Sequence, residues 1–321
     1  MQKTFLCMAL LAAVTVNAQI QSTIRVTGTR FTFPVFTKWA DEYNKIHPEV
    51  KIIIASGIPT DSADIVIASH VLKPGDVKAG QASVALARYV QLPVVNNRRA
   101  DLEGLLTKGL SDASFRQIYF PDKERANDSG IAFTVYKRQK AACSSVSFAN
   151  HFGYEHKDIK GTGVPGDDQD LLQAVKINET AISHNSLGII YNLRTRKPND
   201  SIAVVPIDLN GNGKVDPNEK IYSTVDEVVA FVEKTNHPKI PVENINVIFS
   251  KTVNHKAVIS FLEWVIKNGN QFNHAYGLLN LGAATMQSQE KLLALSNGLS
   301  ACTPSFAQLK NKSVTSIHKN Q

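Results

Sequence analysis

The sequence predicts an α/β protein with two doubly wound lobes joined by two crossing segments. Short apolar strands alternate with helical stretches along the chain, which is typical of sheets covered by helices. Two segments, 84–96 and 246–249, are almost continuously apolar, as expected for strands that are buried on both faces. The chain has 321 residues, which is more than one hydrophobic core usually covers, so we expect two lobes.

The chain after its N-terminal leader opens with an α/β unit. Residues 24–26 form the first predicted strand, the glycine turn 27–29 follows, and Pro34 opens a helix. Further strands are predicted at 50–54 and 64–68.

The middle of the chain separates the two long apolar strands, so we expect the backbone to cross between the lobes twice. The first lobe then holds both ends of the mature chain, residues 19–90 and 250–321. The second lobe holds residues 91–249. A helix is predicted from about 255 to 272, after the second crossing.

Residues 1–18 are predicted to be a cleavable signal peptide. Lys3 gives the positive start, an apolar run covers 5–16, and small residues end at Ala18. The alternative is a membrane anchor, but the run falls well short of the roughly 20 apolar residues that span a bilayer. We therefore expect cleavage near Ala18 and a periplasmic or secreted mature protein.

The distribution of charge restricts the possible binding partners of the protein. The formal net charge is +7, but Lys and Arg are spread along the chain without a dense run. This spread argues against nucleic acid as a partner and leaves a small anionic ligand open.

Outside the signal peptide two cysteines remain, Cys143 and Cys302. In an oxidising compartment they permit one disulfide but do not require it.

Residues 208–219 have the spacing of a calcium-binding loop. Oxygen-bearing side chains occupy the first, third, fifth and ninth positions, Gly213 makes the sharp turn at the sixth, and an acidic residue closes the twelfth. The predicted metal ligands are Asp208, Asn210, Asn212, the backbone carbonyl of Lys214, Asp216 and Glu219. The flanks differ from a regulatory helix-loop-helix pair, because 203–207 is strand-like and only 224–234 is helical. We expect a structural Ca²⁺ ion; the alternative is a turn that binds no metal.

Three segments carry a likeness to a known family. Residues 27–34 read Thr-Gly-Thr-Arg-Phe-Thr-Phe-Pro and lead into a helix with Trp39 and Tyr43. Later segments read Gly-Ile-Ile-Tyr at 188–191 and Phe-Leu-Glu-Trp at 261–264. In order and separation they resemble the opening turn and helix, a strand and a late helix of the periplasmic phosphate-binding proteins of ABC importers.

The resemblance implies a type II periplasmic binding fold whose lobes close on one oxyanion, with phosphate favoured. It also implies a membrane permease of an ABC importer as the partner, and we expect a monomer. A small anion can be held by helix N-termini, hydroxyls and an arginine fork. The candidate ligand-binding residues are Thr29, Arg30, Phe31, Ser56, Ser69, His70, Arg138, Ala142, Cys143 and Ser144.

The candidate site departs from the family pattern. Phe31 and Arg138 match the family's phenylalanine and its anion-clamping arginine. Arg30 stands where the family has threonine, and His70 stands where it has the aspartate that accepts a proton from monohydrogen phosphate. Residues 142–144 read Ala-Cys-Ser in place of Ser-Gly-Thr. These changes replace the family's aspartate, a hydrogen-bond acceptor, with residues that can donate hydrogen bonds. Oxyanions such as sulfate therefore remain candidate ligands.

Two other functions remain open at this point. Cys143 with His70 or His151 has the residue types of a covalent catalyst. The chain has no Gly-x-Ser-x-Gly elbow, no His-Glu-x-x-His and no phosphate-binding loop, so we expect no enzyme. A secreted, calcium-stabilised protein with a different anionic ligand is the second alternative, suggested by the signal peptide and by the loop at 208–219. Arg30 and Arg138 would then be ordinary surface arginines.

Overall fold

The computed structural model of the protein describes residues 22–121, 133–251 and 255–299. The predicted signal peptide and Cys302 lie outside these residues, so the cleavage site and the disulfide stay predictions. Within the described ranges, no helix is both long and apolar enough to cross a membrane.

Within the part of the chain that the structure describes, nine strands are joined in one mixed sheet. Its order is β2-β1-β3-β9-β4-β7-β5-β6, and β8 pairs with β4 outside this path. β1 runs parallel to β2 and β3, whereas β4 and β9 run antiparallel to each other. The strands are β1 (Ser22–Gly28), β2 (Val50–Ile54), β3 (Ile65–Ala68), β4 (Gln81–Asn96), β5 (Thr134–Arg138), β6 (Thr162–Val164), β7 (Ala181–Ser186), β8 (Ile202–Val204) and β9 (Val242–Ser250).

Helices pack around this sheet. Within the described ranges the α-helices are α1 (Phe33–Asn44), α2 (Leu102–Lys108), α3 (Asp112–Tyr119), α4 (Cys143–His151), α5 (Asp168–Ile177), α6 (Leu187–Ile190), α7 (Val225–Thr235), α8 (His255–Trp264), α9 (Asn270–Asn273) and α10 (Ala283–Leu299). The π-helical turn Val265–Gly269 joins α8 to α9. Short 3₁₀ turns occur at Arg30–Thr32, His156–Asp158, Pro217–Glu219 and His274–Tyr276.

The long strands β4 and β9 connect two separate hydrophobic cores. β4 pairs with β9 along 81–90 and with β7 along 91–95, so each half of β4 belongs to a different lobe. β1 to β3, α1 and α8 contribute the side chains of the first core. The second half of β4, β7, α3, α4, α5 and α7 contribute those of the second core. The ribbon of β4 and β9 therefore supplies the two crossings between the lobes.

α1 shows why the first lobe folds as predicted. Pro34 lies in the first turn, where its fixed φ suits the helix and its missing N–H costs no intrahelical hydrogen bond. Phe36, Trp39 and Tyr43 lie on the buried face, each at most 1% exposed. The indole N–H of Trp39 donates to the carbonyl oxygen of Gly269 at 3.2 Å, which ties α1 to the late helices. Burying an aromatic side chain of this size contributes about 2 to 3 kcal/mol.

The α/β fold class is confirmed, but one segment differs locally. Residues 188–191, compared above with a strand of the family, lie instead in and just after the short helix α6. The Tyr191 N–H donates to the Leu187 carbonyl oxygen at 2.9 Å, closing the helical turn. A Cβ atom at Gly188 would lie 2.9 Å from the Tyr276 carbonyl oxygen. Glycine is therefore needed there because α6 packs closely against the first lobe.

The second crossing also lies earlier than expected. Ile245, Val247 and Phe249 are buried in the first-lobe core, although the predicted boundary assigned residues up to 249 to the second lobe. The reason is that β9 pairs with β3 and with the first half of β4 along this stretch. The chain therefore re-enters the first lobe near residue 245.

Candidate functional site

A cavity of about 390 Å³ lies between the two lobes. Its first-lobe wall includes Thr29, Arg30 and Phe31, which follow the end of β1. Its second-lobe wall includes Arg138 and residues 141–144, which lie between the end of β5 and the start of α4. The structure therefore brings seven of the ten predicted ligand-binding residues to the wall of one cavity.

Gly28 allows the end of β1 to reach this cavity. Its φ is +119°, which side chains rarely adopt, and an added Cβ would lie 2.3 Å from the Ile67 carbonyl oxygen. The close approach fixes the next residue, because the Thr29 hydroxyl donates to the Ile67 carbonyl oxygen at 3.2 Å. The same hydroxyl oxygen accepts from the Ser69 N–H at 3.3 Å. Thr29 is thus held between β1 and the end of β3.

Phe31 lies at the junction of the lobes. It packs against both hydrophobic cores, and its ring centroid is 4.8 Å from that of Tyr89 on β4. The Tyr89 hydroxyl donates to the Ser69 carbonyl oxygen at 2.7 Å. Ser69 is fully buried behind Thr29, so its role is to support the cavity wall rather than to line it.

Arg138 is the central cation of the second-lobe wall. It is only 8% exposed, and its Nη1 donates to Asp168 Oδ1 at 2.9 Å. Its Nη2 donates to the Gly166 carbonyl oxygen, and the Ser144 hydroxyl donates to Asp168 Oδ1 at 3.2 Å. The third nitrogen, Nε, has no hydrogen-bond partner among the described residues. The guanidinium is therefore fixed in orientation while one buried donor is left for another group.

The N-terminus of α4 faces the same cavity. α4 begins at Cys143, and its N-cap residue, Ala142, has no side-chain oxygen to accept a hydrogen bond from the first turn. The first backbone N–H groups of a helix have no partner within the helix and carry the positive end of its dipole. In contrast, the N-terminus of α5 is capped by the Asp167 side chain. α4 therefore offers free donors beside Arg138.

Arg30 connects the two walls of the cavity. Its Nη2 donates to the Gly166 carbonyl oxygen at 3.1 Å, and its Nη1 lies 3.7 Å from Asp167 Oδ2. Arg30 belongs to the first lobe and its partners to the second. Both charged side chains are partly exposed, so this ion pair contributes at most about 1 kcal/mol.

A second contact between the lobes joins His70 to Cys143. His70 Nδ1 lies 3.2 Å from Cys143 Sγ, and His70 Nε2 lies 3.8 Å from Asp76 Oδ2. Burial raises the pKa of the Cys143 thiol, but the contacts with His70 and Thr29 outweigh it, so the pKa lies below its ordinary value. The contact with Cys143 raises the pKa of His70, and the nearby carboxylates of Asp76 and Glu243 raise it further.

The structure does not bring Ser56 to the cavity. Ser56 lies in an exposed turn that follows β2, and it is not among the residues that line the cavity. β2 is the outermost strand of the sheet, whereas the first-lobe wall of the cavity is formed at the ends of β1 and β3, which lie further in. The placement of Ser56 in the site is therefore corrected.

In the predicted calcium loop, the acidic side chains accept hydrogen bonds from N–H groups of the loop itself. Asp208 and Glu219 are each 1% exposed. Asp208 Oδ1 accepts from the Gly211 N–H at 2.7 Å, and Glu219 Oε1 accepts from the Leu209 N–H at 3.0 Å. The side-chain amides of Asn210 and Asn212 meet at Asp216 Oδ2, at 2.7 and 2.8 Å respectively.

These oxygen-bearing side chains have the donor chemistry that Ca²⁺ prefers. Among the residues described, however, no three Asp, Glu, His or Cys side chains converge as a ready metal site. Ion binding would require the Asp216, Asn210 and Asn212 side chains to exchange contacts with each other for contacts with the ion.

The sequence matches no protein-family profile and no curated protein. Solved structures do resemble the chain. A candidate phosphate ABC transporter substrate-binding protein from Clostridium perfringens, with bound phosphate, is 17% identical with a TM-score of 0.60, covering 81% of this chain and 100% of that one. An ABC-type phosphate transport receptor from Vibrio cholerae is 16% identical with a TM-score of 0.56, over 81% and 100%. These likenesses establish the fold.

The type II periplasmic binding fold explains where the cavity lies. In open α/β sheets, ligands bind at the ends of strands where the connections diverge, and here the ends of β1, β3 and β5 meet between the lobes. At these identities the neighbours do not decide which ligand enters, so the ligand must be inferred from the cavity itself.

Sequence reasoning missed two acidic residues of the site, Asp167 and Asp168. They lie at the start of α5 in the sequence Gly-Asp-Asp-Gln-Asp, with Asp167 as the N-cap and Asp168 as the first helical residue, and Asp167 forms a capping box with Asp170. That spacing is a recognisable helix start, so the helix could have been predicted. The pairing of Asp168 with Arg138 could not, because the two residues lie on different elements.

Proposed function

We propose that this protein is an extracytoplasmic solute-binding protein that captures phosphate or a related oxyanion between its lobes. We further propose that it delivers the anion to the membrane permease of an ABC importer and works as a monomer. The proposal is carried by one observation: the uncapped N-terminus of α4 opens on the cavity beside Arg138, whose buried Nε has no partner among the described residues.

The arrangement favours an anion for a physical reason. A buried donor without a partner costs about 1 to 3 kcal/mol, and an oxyanion that accepts from Arg138 Nε recovers this cost. Backbone N–H groups at the start of α4 provide further donors for the same small ligand. Hydrogen bonds to a charged acceptor contribute about 1.5 to 3 kcal/mol each, so three of them contribute about 4.5 to 9 kcal/mol, which corresponds to Kd values from the submillimolar to the submicromolar range.

Asp168 supplies the acceptor that His70 does not. In the resembled family an aspartate accepts a proton from monohydrogen phosphate, and this chain has His70 at that position. Asp168 lines the cavity and accepts at Oδ1 from both Arg138 and Ser144. A hydroxyl of a partly protonated oxyanion can donate to this carboxylate, whereas a fully ionised sulfate is repelled by it. We therefore favour phosphate over sulfate.

Thermal unfolding with a panel of anions tests this function. The purified mature protein is melted with phosphate, sulfate, molybdate and small carboxylates, each in the presence of Ca²⁺. A ligand at about 100 times its Kd stabilises the folded state by about 2.7 kcal/mol, so phosphate should raise the Tm by several degrees. No change in Tm with any anion of the panel would contradict the proposal.

The variant Arg138→Lys, with Arg98→Lys as its control, tests whether phosphate binding depends on the guanidinium of Arg138 or only on its positive charge. Lysine keeps the charge but loses the planar fork, and with it the Nε donor. Arg98 lies outside the cavity, and its side chain is 64% exposed. We expect Arg138→Lys to weaken phosphate binding by at least about tenfold, since one charge-assisted hydrogen bond is lost. Arg98→Lys should bind as the unmodified protein does; equal affinities in both variants would remove Arg138 from the site.

We also propose that residues 208–219 hold a structural Ca²⁺ ion in the mature protein. The order and chemistry of the oxygen donors support this. Glu219→Gln keeps one of the two oxygens that accept from backbone N–H groups, and it removes a charge the ion needs. Calorimetric titration with Ca²⁺ should give heat and a higher Tm for the unmodified protein and for the control Glu179→Gln, an exposed carboxylate outside the loop. It should give neither for Glu219→Gln. An unmodified protein that shows no heat and no change in Tm would exclude the ion.

A further inference from the structure

Cys143 and His70 form a contact that the oxyanion site does not need. An anion-binding wall requires donors, but the cysteine sulfur is a weak donor that becomes an anion when it loses its proton. The sulfur lies 3.2 Å from His70 Nδ1, and the other ring nitrogen of His70 faces Asp76 at 3.8 Å. The three residues form a chain of thiol, imidazole and carboxylate that runs from the second lobe into the first.

The surroundings of the sulfur favour its charged form. Cys143 is the first residue of α4, where the unpaired backbone N–H groups stabilise a negative charge. The charged groups facing His70 are Asp76 and Glu243. Those sharing the cavity wall with Cys143 are Arg30, Arg138, Asp167 and Asp168. Each of the two carboxylates near His70 stabilises its protonated form, which in turn stabilises the thiolate. The lowered pKa of the thiol and the raised pKa of the imidazole, given above, agree with this geometry.

The sulfur is also accessible. Cys143 is partly exposed and lines the cavity of about 390 Å³, which is open to small molecules. Reactive cysteines occur in partly exposed, electropositive surroundings of this kind, whereas fully buried structural cysteines are inert. A small neutral reagent can approach the sulfur without repulsion from Asp168.

We propose that Cys143 is a modification site at which a peroxide oxidises the thiolate to a sulfenic acid. The thiolate sulfur attacks one oxygen of hydrogen peroxide, a sulfur–oxygen bond forms and the oxygen–oxygen bond breaks. The departing hydroxide takes the proton of the His70 imidazolium and leaves as water. Cysteine is oxidised by two electrons, the peroxide is reduced by two, and His70 ends neutral. Cys143 lines the same cavity as the proposed oxyanion site, but its oxidation does not require an anion to bind there.

The test measures where and how fast peroxide reacts. The mature protein is treated with hydrogen peroxide, sulfenic acid is trapped with dimedone, and the adduct is located by peptide mass spectrometry, which distinguishes Cys143 from Cys302. His70→Gln removes the imidazole, and His151→Gln, at the opposite end of α4, is the matched control. Circular dichroism and the Tm of each variant show whether it is folded.

At neutral pH we expect the adduct on Cys143 in the unmodified protein and in His151→Gln at equal rates. His70→Gln should react more slowly, by about tenfold for each unit by which loss of the imidazole raises the pKa of the thiol. Its rate should recover as the pH is raised toward the ordinary range of a thiol. Equal rates in a folded His70→Gln, or a Cys143 that reacts no faster than it does in the urea-unfolded protein, would overturn the proposal. No anionic ligand is present in this assay, so its failure leaves the oxyanion proposal untouched.

Discussion

His184 makes the stability of the second lobe dependent on pH. Its side chain lies on β7 and is 1% exposed, and neither ring nitrogen has a hydrogen-bond partner among the described residues. The ring stacks on Phe148 of α4 at a centroid distance of 3.7 Å. Burial, with a smaller effect from the charge of His156, lowers the pKa of His184 to about 3.

The sign and size of the effect follow from proton linkage. The unfolded chain protonates this residue below its ordinary pKa of about 6.5, whereas the folded protein resists protonation down to about pH 3. The folded state therefore loses stability as the pH falls through this window, by about 1.4 kcal/mol for each pH unit. Between about pH 8 and about pH 4.5 the loss amounts to about 2.7 kcal/mol, which is a large part of a typical folding free energy.

His184→Leu removes this proton site with little change in side-chain volume. Urea unfolding of both proteins at several pH values gives the difference between their free energies of unfolding. Groups shared by the two proteins cancel in that difference, so it should move by about 2.7 kcal/mol in favour of the variant between about pH 8 and about pH 4.5. A difference that stays constant over this range would refute the neutral, desolvated state assigned to His184.

Two further predictions concern the cavity and its support. Asp168→Asn should raise the affinity for sulfate relative to phosphate, because the carboxylate that repels a fully ionised oxyanion is removed. Calorimetric titration with both anions measures the ratio of affinities, and an unchanged ratio would contradict the role given to Asp168. Gly28→Ala should lower the free energy of unfolding by about 2 kcal/mol or more, since the new Cβ would lie 2.3 Å from the Ile67 carbonyl oxygen at a φ of +119°. Gly57→Ala, whose Cβ would meet no atom within 4 Å, is the control, and equal urea midpoints would contradict the argument.

Part of the site could be predicted because its residues are tied to local sequence signals. Thr29 to Phe31 follow a glycine turn at the end of a strand, and 142–144 follow another strand and open a helix. Ends of strands in an α/β protein meet at one edge of the sheet, so these segments were expected together. The partners of Arg138 were not predicted, because Asp168 comes 30 residues later on a separate helix.

β7 shows where sequence patterns fail for the fold. Residues 183–186 read Ser-His-Asn-Ser and carry no apolar signal, yet each is at most 3% exposed. They are buried because they pair with the central strand β4 and are covered by α4. Hydrophobic periodicity detects only buried strands whose side chains are apolar, so it cannot detect a buried strand with polar side chains such as β7.

By itself the sequence determined the α/β class, the two lobes, the helix α1 and the order of oxygen donors at 208–219, because each depends on residues close together in the chain. Only the tertiary structure decided that His70 meets Cys143, 73 residues away and in the other lobe. It likewise decided that Arg138 Nε has no partner among the residues the structure describes, and that Ser56 stays outside the cavity. These properties depend on how separate elements pack, and no spacing within one element encodes that packing.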